Sequence, residues 1–247
     1  MSSGYEKYHR DYVQTSVQRG LISRHNFAYI NFFRFVLPTI QKINPKRILD
    51  IGAGAGTLSF YLASLGYKIV AVEISKTATE IAKESLRFLK LENNLQVFQS
   101  RLEEFKYSGP FDLVLCLEVL EHCFDDKKVL LKIHNNLRKG GILILSTPLK
   151  NAPLVKLGLV SKFDKEVGHL RRYDKNEIIT KLNMAGFVVK SYIETEGIIR
   201  NSLFVFPKVG FIVKFLKSYL SDCFTVIDDL FGKMIGYSDG IVVAIKK

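Results

Sequence analysis

Short apolar stretches alternate with longer amphipathic stretches through the middle of the chain. Helical patterns occur at 57–65, 76–91 and 125–138. The apolar stretches are rich in β-branched residues and read RILDI (47–51), KIVAVE (68–73), LQVFQ (95–99), FDLVLCLE (111–118) and GILILSTP (141–148). Strands that are apolar on both faces and alternate with helices predict an α/β fold, in which helices cover both faces of a largely parallel sheet.

Two regions flank this alternating core. Before it, large aromatic residues are too dense for a loop, so residues 5–45 are predicted to be helical, ending at Asn44-Pro45. We expect an N-terminal helical segment, 1–45, to cover the pocket of a single domain spanning 46–247. After the core, VVKSYIET and the terminal GIVVAIKK predict two last strands, with a helical amphipathic insertion between them at about 198–236.

One more helix is predicted over DKNEIITKLNMAGF (174–187). Asp174 is a suitable N-cap residue, and Glu177 follows it at the spacing of a capping box. Gly186 is suited to end the helix, because glycine readily adopts the left-handed conformation of a C-cap.

The charge balance is basic, with 36 Lys and Arg against 24 Asp and Glu and a formal net charge of +12. It favours anionic partners, such as nucleic acid, an anionic membrane surface or an acidic small molecule. Cys116, Cys123 and Cys223 lack the spacing of a disulfide framework or a zinc site. The first residues contain no apolar secretory core, and no stretch approaches the roughly 18 apolar residues of a spanning helix. We therefore expect a cytoplasmic protein, with peripheral contact at the inner face of a membrane left open.

A glycine-rich turn follows the first predicted strand, in RILDIGAGAG (47–56). Gly52, Gly54 and Gly56 form G-x-G-x-G, whereas a dinucleotide turn normally reads G-x-G-x-x-G and would place its third glycine at Thr57. The lysine of a P-loop is also missing. The carboxylate of Asp50, two residues before the first glycine, would repel a phosphate and attract an ammonium group.

The next predicted strand ends in a second carboxylate, Glu73, at the position suited to bind a ribose diol. The ligand that these residues indicate has a cationic amino end, a ribose and no phosphate. S-adenosylmethionine fits that description. An oxidoreductase that binds NAD on a related fold is the alternative, and it leaves Asp50 and Thr57 unexplained.

Four ordered segments, RILDIGAGAG, VAVEIS, FDLVLCLEVLEH and LRKGGILILSTP, resemble the class I S-adenosylmethionine-dependent methyltransferases over about 45–150. The resemblance implies a Rossmann-like sheet of seven mostly parallel strands, whose antiparallel last strand lies beside the fifth. By matching positions, it implies that Asp50, Gly52, Gly54 and Gly56 form the turn at the methionine end and that Glu73 binds the ribose. It further implies that Ile74 packs on the adenine, that Leu102 offers its N–H to the ring, and that Leu117 lines the site. Arg101 departs from the pattern, because relatives often have an acidic residue there.

A second concentration of polar residues lies in CLEVLEHCFDD. Glu118, Glu121 and His122 are spaced i, i+3 and i+4, so on a helical turn they would share one face. They follow a strand that ends at the ligand-binding edge of the sheet. Together with the distant His169, these carboxylates and imidazoles are candidate ligands for Mg²⁺ or Mn²⁺.

The Glu-x-x-Glu-His segment followed by a distant His resembles two metal-dependent groups, the quinone-biosynthesis O-methyltransferases and the small-RNA 2′-O-methyltransferases. Metal coordination of neighbouring oxygens would lower the pKa of an acceptor hydroxyl. Without a metal, His122 or His169 is a candidate general base, with Glu121 as a further catalytic candidate. A purely structural role for the cluster also stays open.

The acceptor is less well defined by the sequence. Arg171 and Arg172 are candidates to bind a carboxylate or phosphate of the substrate, or they form a solvated basic turn. From Pro207 onward, lysines border a broad apolar helical face that suits an anionic membrane surface, a helix packed over the pocket, or a dimer contact. We therefore expect O-methylation of a small or lipid-linked acceptor, such as a quinone-like molecule or a glycan, with RNA 2′-O-methylation as the alternative.

Overall fold

Seven strands form one sheet in the order β3-β2-β1-β4-β5-β7-β6. The computed structural model of the chain describes residues 17–106, 110–206 and 219–247. β1 to β5 are mutually parallel, and β7 runs antiparallel to both β5 and β6. The predicted α/β fold is therefore confirmed, including the antiparallel last strand beside the fifth. The strands are β1 Arg47–Ile51, β2 Lys68–Glu73, β3 Leu95–Gln99, β4 Phe111–Leu117, β5 Leu137–Pro148, β6 Phe187–Thr195 and β7 Asp239–Lys246.

Helices connect the strands and cover the sheet. The helix that begins at Lys175 has its predicted N-cap, since the Asp174 carboxylate accepts the N–H of Glu177. The described residues also contain two 3₁₀ turns, Phe27–Tyr29 and Leu120–His122, and a π-helical turn, Phe32–Val36. The α-helices are α1 Leu37–Ile43, α2 Thr57–Ser64, α3 Lys76–Leu89, α4 Asp126–Asn136, α5 Pro153–Lys156, α6 Ser161–Val167, α7 Lys175–Met184, α8 Ile198–Val205 and α9 Tyr219–Ile235.

The structure differs from the sequence-based prediction at the N-terminal side. Residues 17–26 form no helix, and helical structure begins at Phe27, so the prediction of a helix over 17–26 was wrong. Gln18 shows the physical reason. Its backbone N–H donates to Ser85 Oγ, and its side-chain oxygen accepts from Thr57 Oγ1. Contacts with α2 and α3 therefore replace the internal hydrogen bonds of a helix. Residues 5–16 of the same prediction lie outside the described residues.

β5 also starts earlier than the apolar pattern indicates. It begins at Leu137 instead of 141, because Leu137 pairs with Phe111 at the start of β4 before the register shifts. Such a pairing depends on a neighbouring strand and has no signature within the segment itself.

The core consists of two layers, one on each face of the sheet. Along β1, Leu49 and Ile51 belong to one layer, whereas Ile48 belongs to the other. All three side chains are buried. Burial on both faces explains why the strands read as continuous apolar runs instead of alternating ones. Because both faces are filled, the carboxyl edge of the parallel strands remains as the place for a ligand.

The N-terminal segment and the insertion between β6 and β7 are connected by polar contacts. Arg34 forms a bidentate ion pair with Asp229 of α9, with a shortest N–O distance of 2.6 Å. Arg200 of α8 donates to Asn31 Oδ1 at 2.8 Å. The amphipathic stretch predicted to contact a membrane falls largely on 207–218, outside the described residues. None of the described helices combines the length and the apolar composition needed to span a membrane.

Candidate active site

The glycine turn after β1 leaves the backbone open to close approach. Gly52 has φ +67°, and a Cβ atom placed there would lie 2.4 Å from Val119 Cγ2. Gly56 has φ +84° and precedes the first residue of α2. Both conformations strongly favour glycine, and the absence of a side chain at Gly52 makes room for Val119. The turn therefore has the backbone geometry that a closely bound ligand requires.

The two predicted carboxylates, Asp50 and Glu73, lie buried beside this turn. Glu73 accepts the N–H of Gly54 at 2.9 Å and the N–H of Ser75 at 2.7 Å. Asp50 accepts the Ser59 hydroxyl at 2.6 Å. Both carboxylates thus hold the turn and its neighbouring helices in place. Direct contact of Asp50 with an ammonium group and of Glu73 with a ribose stays a prediction.

Burial makes the Asp50 carboxyl a weaker acid than usual. Loss of solvation raises its pKa from 3.8 to about 6, against the opposing hydrogen bond from Ser59 and with a smaller contribution from the Glu73 charge. A pKa that is higher in the folded chain means that stability falls as pH rises from about 4 to about 6. Asp50→Asn should therefore increase the free energy of unfolding at pH 7 by at most about 3 kcal/mol, and by almost nothing at pH 3.5.

Urea unfolding of the ligand-free chain at both pH values measures this effect. Asp112 provides a matched control of opposite sign. Burial raises its pKa, but hydrogen bonds from Arg138 and from the backbone of Arg47 and Lys46 outweigh burial and lower it overall. Asp112→Asn should therefore destabilise the chain at pH 7. Equal effects of Asp50→Asn and Asp112→Asn on the free energy of unfolding would contradict burial as the cause of the raised pKa of Asp50.

Two cavities open at the carboxyl edge of the sheet, and Gly52 and His122 line both. The smaller has a volume of about 50 Å³ and brings together Ile74 and Leu102, which the sequence placed at the adenine. Arg101 and Val119 also line it. The larger has a volume of about 430 Å³ and includes Leu117. The two cavities therefore adjoin each other at Gly52 and His122.

Glu121 lies next to His122 and His169, and the two histidines line the larger cavity. One ligand atom from each lies within 4.8 Å of the others, and Glu121 Oε1 is 4.0 Å from Nε2 of both histidines. Glu121 is fully buried, and its Oε1 has no hydrogen-bond partner among the described residues. Burial, with the nearby Glu118 charge second, raises the pKa of Glu121 well above its ordinary value.

The outer nitrogens of both histidines are held by acceptors. His122 Nδ1 is 3.1 Å from the Gly168 carbonyl, and His169 Nδ1 is 2.9 Å from Asp164 Oδ1. A carbonyl or carboxylate oxygen can only accept, so we infer that each Nδ1 carries the proton and each Nε2 presents a lone pair towards Glu121. Imidazoles that bind metals are anchored in this way. Two nitrogen lone pairs and an unpartnered carboxylate oxygen together form a donor set that fits a divalent cation.

Glu118 does not share the helical face that its spacing predicted. It has φ +55°, and the 3₁₀ turn begins only at Leu120. Its carboxylate accepts the Ser146 hydroxyl at 2.6 Å instead of joining the group around Glu121. The i, i+3, i+4 rule fails because the chain leaves β4 in a left-handed turn and not in a helix.

Arg171 and Arg172 point to different surroundings. Arg172 lines the larger cavity but is bound to Asp164, with contacts of 2.6 and 2.9 Å. Arg171 pairs with Asp126 at 3.2 Å and donates to the Phe124 carbonyl. Because the two side chains have different partners, the two guanidinium groups do not converge on one anion.

Sequence reasoning expected the N-terminal segment to cover the pocket but did not name the residues that line the larger cavity. Side chains from the N-terminal segment, Tyr29 and Phe32, line it together with Phe204 of α8. Glu196 and Asp239 line it from the ends of β6 and β7. No local motif marks these residues, since they meet only through the order of the strands.

The order of this sheet, the glycine turn after β1 and the acidic end of β2 define the class I S-adenosylmethionine-dependent methyltransferases. A family described as "Methyltransferase domain" matches residues 44–186. The chain belongs to this family, and an oxidoreductase assignment is no longer needed.

Curated relatives include the mitochondrial ubiquinone biosynthesis O-methyltransferase of Schizosaccharomyces pombe, 33% identical over 49% of this chain and 45% of that protein. The ubiquinone biosynthesis O-methyltransferase of Rickettsia typhi is 26% identical over 63% of each chain. The chain thus spans about half to two thirds of the length of these relatives.

Solved structures show the same fold. A putative sarcosine dimethylglycine methyltransferase from Galdieria sulphuraria matches with a TM-score of 0.70 and 13% identity, over 100% of this chain and 99% of the other. The magnesium protoporphyrin IX methyltransferase from Synechocystis, solved with bound S-adenosylhomocysteine, matches with a TM-score of 0.62 and 17% identity, over 100% and 95%.

Proposed function

We propose that this chain transfers a methyl group from S-adenosylmethionine to a hydroxyl of a small acceptor with two neighbouring oxygens, and that a divalent metal assists. One observation carries the proposal. The buried, unpartnered Glu121 Oε1 faces the Nε2 atoms of His122 and His169, whose outer nitrogens are anchored by Gly168 and Asp164. This pattern is costly without a cation and favourable with one.

The cofactor supplies an electrophilic methyl group when it is bound. The small cavity is suited to the adenine, between Ile74 and Leu102, and the turn at Gly52 suits the methionine end. Leu117 and Gly52 line the larger cavity, so they face the passage towards the acceptor. Methyl transfer requires aligned reactants and a dry pocket. Tyr29 and Phe32 of the N-terminal segment supply apolar cover on that side.

Glu121, His122 and His169 would hold Mg²⁺ or Mn²⁺. Such an ion lowers the pKa of a coordinated hydroxyl and orients it. The protein's part is to orient the ligands. Thr147 Oγ1 donates to Glu121 Oε2 at 3.3 Å, which turns Oε1 towards the histidines. Without a metal, the Nε2 of His122 or His169 would accept the hydroxyl proton instead.

The relatives support the type of acceptor. The matched curated proteins are named ubiquinone biosynthesis O-methyltransferases. A quinone-like acceptor with adjacent oxygens suits both the metal group and the apolar wall of the cavity. A glycan diol has the same pair of oxygens, and RNA, with a ribose diol only at its 3′ end, is the less favoured alternative.

We also propose contact with an anionic membrane surface, which would deliver a lipid-linked acceptor to a cytoplasmic enzyme. On α9, Val226, Leu230 and Met234 are exposed at helical spacing, and Lys233 lies beside them. Sedimentation with phosphatidylglycerol vesicles tests this, and equal sedimentation of the chain and a Leu230→Asp variant would contradict it.

A methyl-transfer assay with paired diols tests the function. Catechol has neighbouring hydroxyls, resorcinol has the same hydroxyls one carbon further apart, and a short RNA with a 3′ diol serves as the third acceptor. With S-adenosylmethionine and Mg²⁺, we expect the catechol monomethyl ether to form at least about tenfold faster than the resorcinol ether. A chelator should abolish this preference, and added Mn²⁺ should restore it. Equal, chelator-insensitive rates on the two diols, or methylation of the RNA alone, would overturn the proposal.

A further inference from the structure

A second group of carboxylates lines the larger cavity, apart from the metal group. Its members are Glu118 after β4, Glu196 after β6 and Asp239 at the start of β7, and we call them the acidic cluster. Asp239 pairs with Pro148 at the end of β5 and with Thr195 at the end of β6. The strand order therefore brings three distant carboxylates to one side of the chamber.

The acidic cluster is poorly neutralised. The carboxyl groups of Glu118 and Asp239 are near neighbours. In the part of the chain that the structure describes, Arg200 alone places a cationic nitrogen within 4.0 Å of the cluster, next to Glu196. Arg200 also donates to Asn31. Burial, followed by the charges of Glu118 and Glu196, raises the pKa of Asp239 well above its ordinary value.

Polar atoms without partners surround the same place. Ser238 is 1% exposed and Asn201 is 8% exposed, and both line the cavity. Neither Ser238 Oγ nor Asn201 Oδ1 has a hydrogen-bond partner within the described ranges, and the same holds for Asp239 Oδ1. Buried polar groups are normally paired, so these atoms indicate a missing ligand. The amide oxygen of Asn201 and the carboxylate oxygen of Asp239 are acceptors, which indicates a ligand that donates hydrogen bonds.

We propose that the acidic cluster is a subsite for a protonated amine on the acceptor, and that it excludes acceptors with a carboxylate or phosphate at this position. The inference rests on the proposed function, because it concerns the acceptor of the same chamber. An ammonium group offers three donors and relieves the repulsion between the carboxylates, whereas an anion would add to it. The aromatic side chains of Tyr29 and Phe204 in the same chamber would pack on the acceptor's apolar frame.

The overall charge of +12 gives the opposite expectation, namely an anionic acceptor. The local charge decides, because the carboxylates adjoin the acceptor in a low-dielectric chamber, whereas water and salt screen the more distant surface charges. The cofactor's own ammonium group is the competing occupant. Glu118 adjoins Leu117, on the cofactor side, but Glu196 follows β6 and Asp239 begins β7, and these are the two strands farthest from β1 in the sheet.

Three catechols with different side chains test the proposal. Dopamine carries a protonated amine, 4-methylcatechol is neutral, and 3,4-dihydroxyphenylacetate carries a carboxylate. Their affinities are measured by calorimetry on the full chain saturated with S-adenosylhomocysteine and Mg²⁺. We expect dopamine to bind at least about tenfold more tightly than the carboxylate, with the neutral catechol between them. Equal affinities, or preference for the carboxylate, would overturn the proposal.

Two variants test whether the acidic cluster causes the preference for the protonated amine. Asp239→Asn and Glu196→Gln should each reduce the ratio of dopamine to carboxylate affinity to about threefold or less, without changing the affinity for 4-methylcatechol. Glu80→Gln removes the same charge from the exposed face of α3 and should leave the ratio unchanged. Asp239→Asn should not lower the melting temperature, because it removes one of several repelling carboxylates. If the melting temperature of Asp239→Asn does fall, the affinity ratio measured for Glu196→Gln tests the proposal.

The affinity for S-adenosylhomocysteine shows whether the acidic cluster binds the amine of the acceptor or the ammonium group of the cofactor. It should be unchanged in Asp239→Asn, and a tenfold loss would assign the cluster to the cofactor and overturn the proposal. Because binding is measured without turnover, this experiment tests the amine subsite separately from the proposed methyl transfer. If the order of affinities holds while no catechol is methylated, the amine subsite stands and the reaction assigned to the chamber is wrong.

Discussion

Glu121→Gln should lower the rate of catechol methylation about a hundred-fold or more, while the affinity for S-adenosylhomocysteine stays within about twofold. Glutamine has nearly the same shape as glutamate but no negative charge, so it cannot balance a divalent cation between His122 and His169. Glu121 adjoins His122 and His169, which line the acceptor chamber, and it does not line the small cavity assigned to adenine. Initial rates and calorimetry on the same preparations measure the two effects separately.

Asp164→Asn gives a graded companion to this experiment. Asp164 orients His169 and pairs with Arg172, and although burial raises its pKa, the hydrogen bonds of these two partners lower it to about 2. Loss of an anchor of this kind typically weakens metal binding about 10- to 100-fold, so added Mn²⁺ should restore the rate of this variant and not that of Glu121→Gln. Glu166→Gln, an exposed change in the same helix, should have no effect. If a chelator leaves the wild-type rate unchanged while Glu121→Gln abolishes it, the carboxylate acts without a metal.

Gly52→Ala should lower the affinity for S-adenosylhomocysteine at least about thirty-fold and destabilise the chain by about 2 to 4 kcal/mol. The added Cβ would lie 2.4 Å from Val119 Cγ2, in a backbone conformation of φ +67°. Either Val119 or the turn must move. Val119 and Gly52 of the turn both line the small cavity. Calorimetry and urea unfolding measure the two losses.

Gly66→Ala is the matched control. Gly66 also has positive φ, +93°, but nothing lies within 4 Å of the position of its Cβ. This variant should show the strain alone, about 1 kcal/mol of stability, with unchanged cofactor affinity. Wild-type affinity in Gly52→Ala would mean that the turn does not contact the cofactor.

Most of the fold was predictable because it depends on local and periodic signals. β1, β2 and β3 occupy the predicted residues, since buried parallel strands must be apolar on both faces and are bounded by turn residues. The capped helix after Asp174 followed from side-chain chemistry within one turn. Residues 17–26 were mispredicted as helix, because their conformation depends on contacts with Thr57 and Ser85.

The candidate site divides in the same way. Gly52, Ile74 and Leu102 come together as expected, because their spacing along two βα units fixes their place at the sheet edge. Glu118 was grouped with Glu121 by helical spacing, but Glu118 itself has a left-handed conformation, so no helix connects the two residues. Arg171 and Arg172 were treated as a pair, but Asp126 binds one and Asp164 binds the other.

The sequence by itself determined the α/β class, the order of strands and helices along the chain, the glycine turn, and the candidates Glu121, His122 and His169. Each of these follows from periodicity or from the chemistry of a few neighbouring residues. Only the tertiary structure decided that Gly168 and Asp164 orient the two histidines and that Glu196 and Asp239 join Glu118 in the acceptor chamber. These residues are distant in sequence, and the insertion of β7 between β5 and β6 brings the carboxylates to one place.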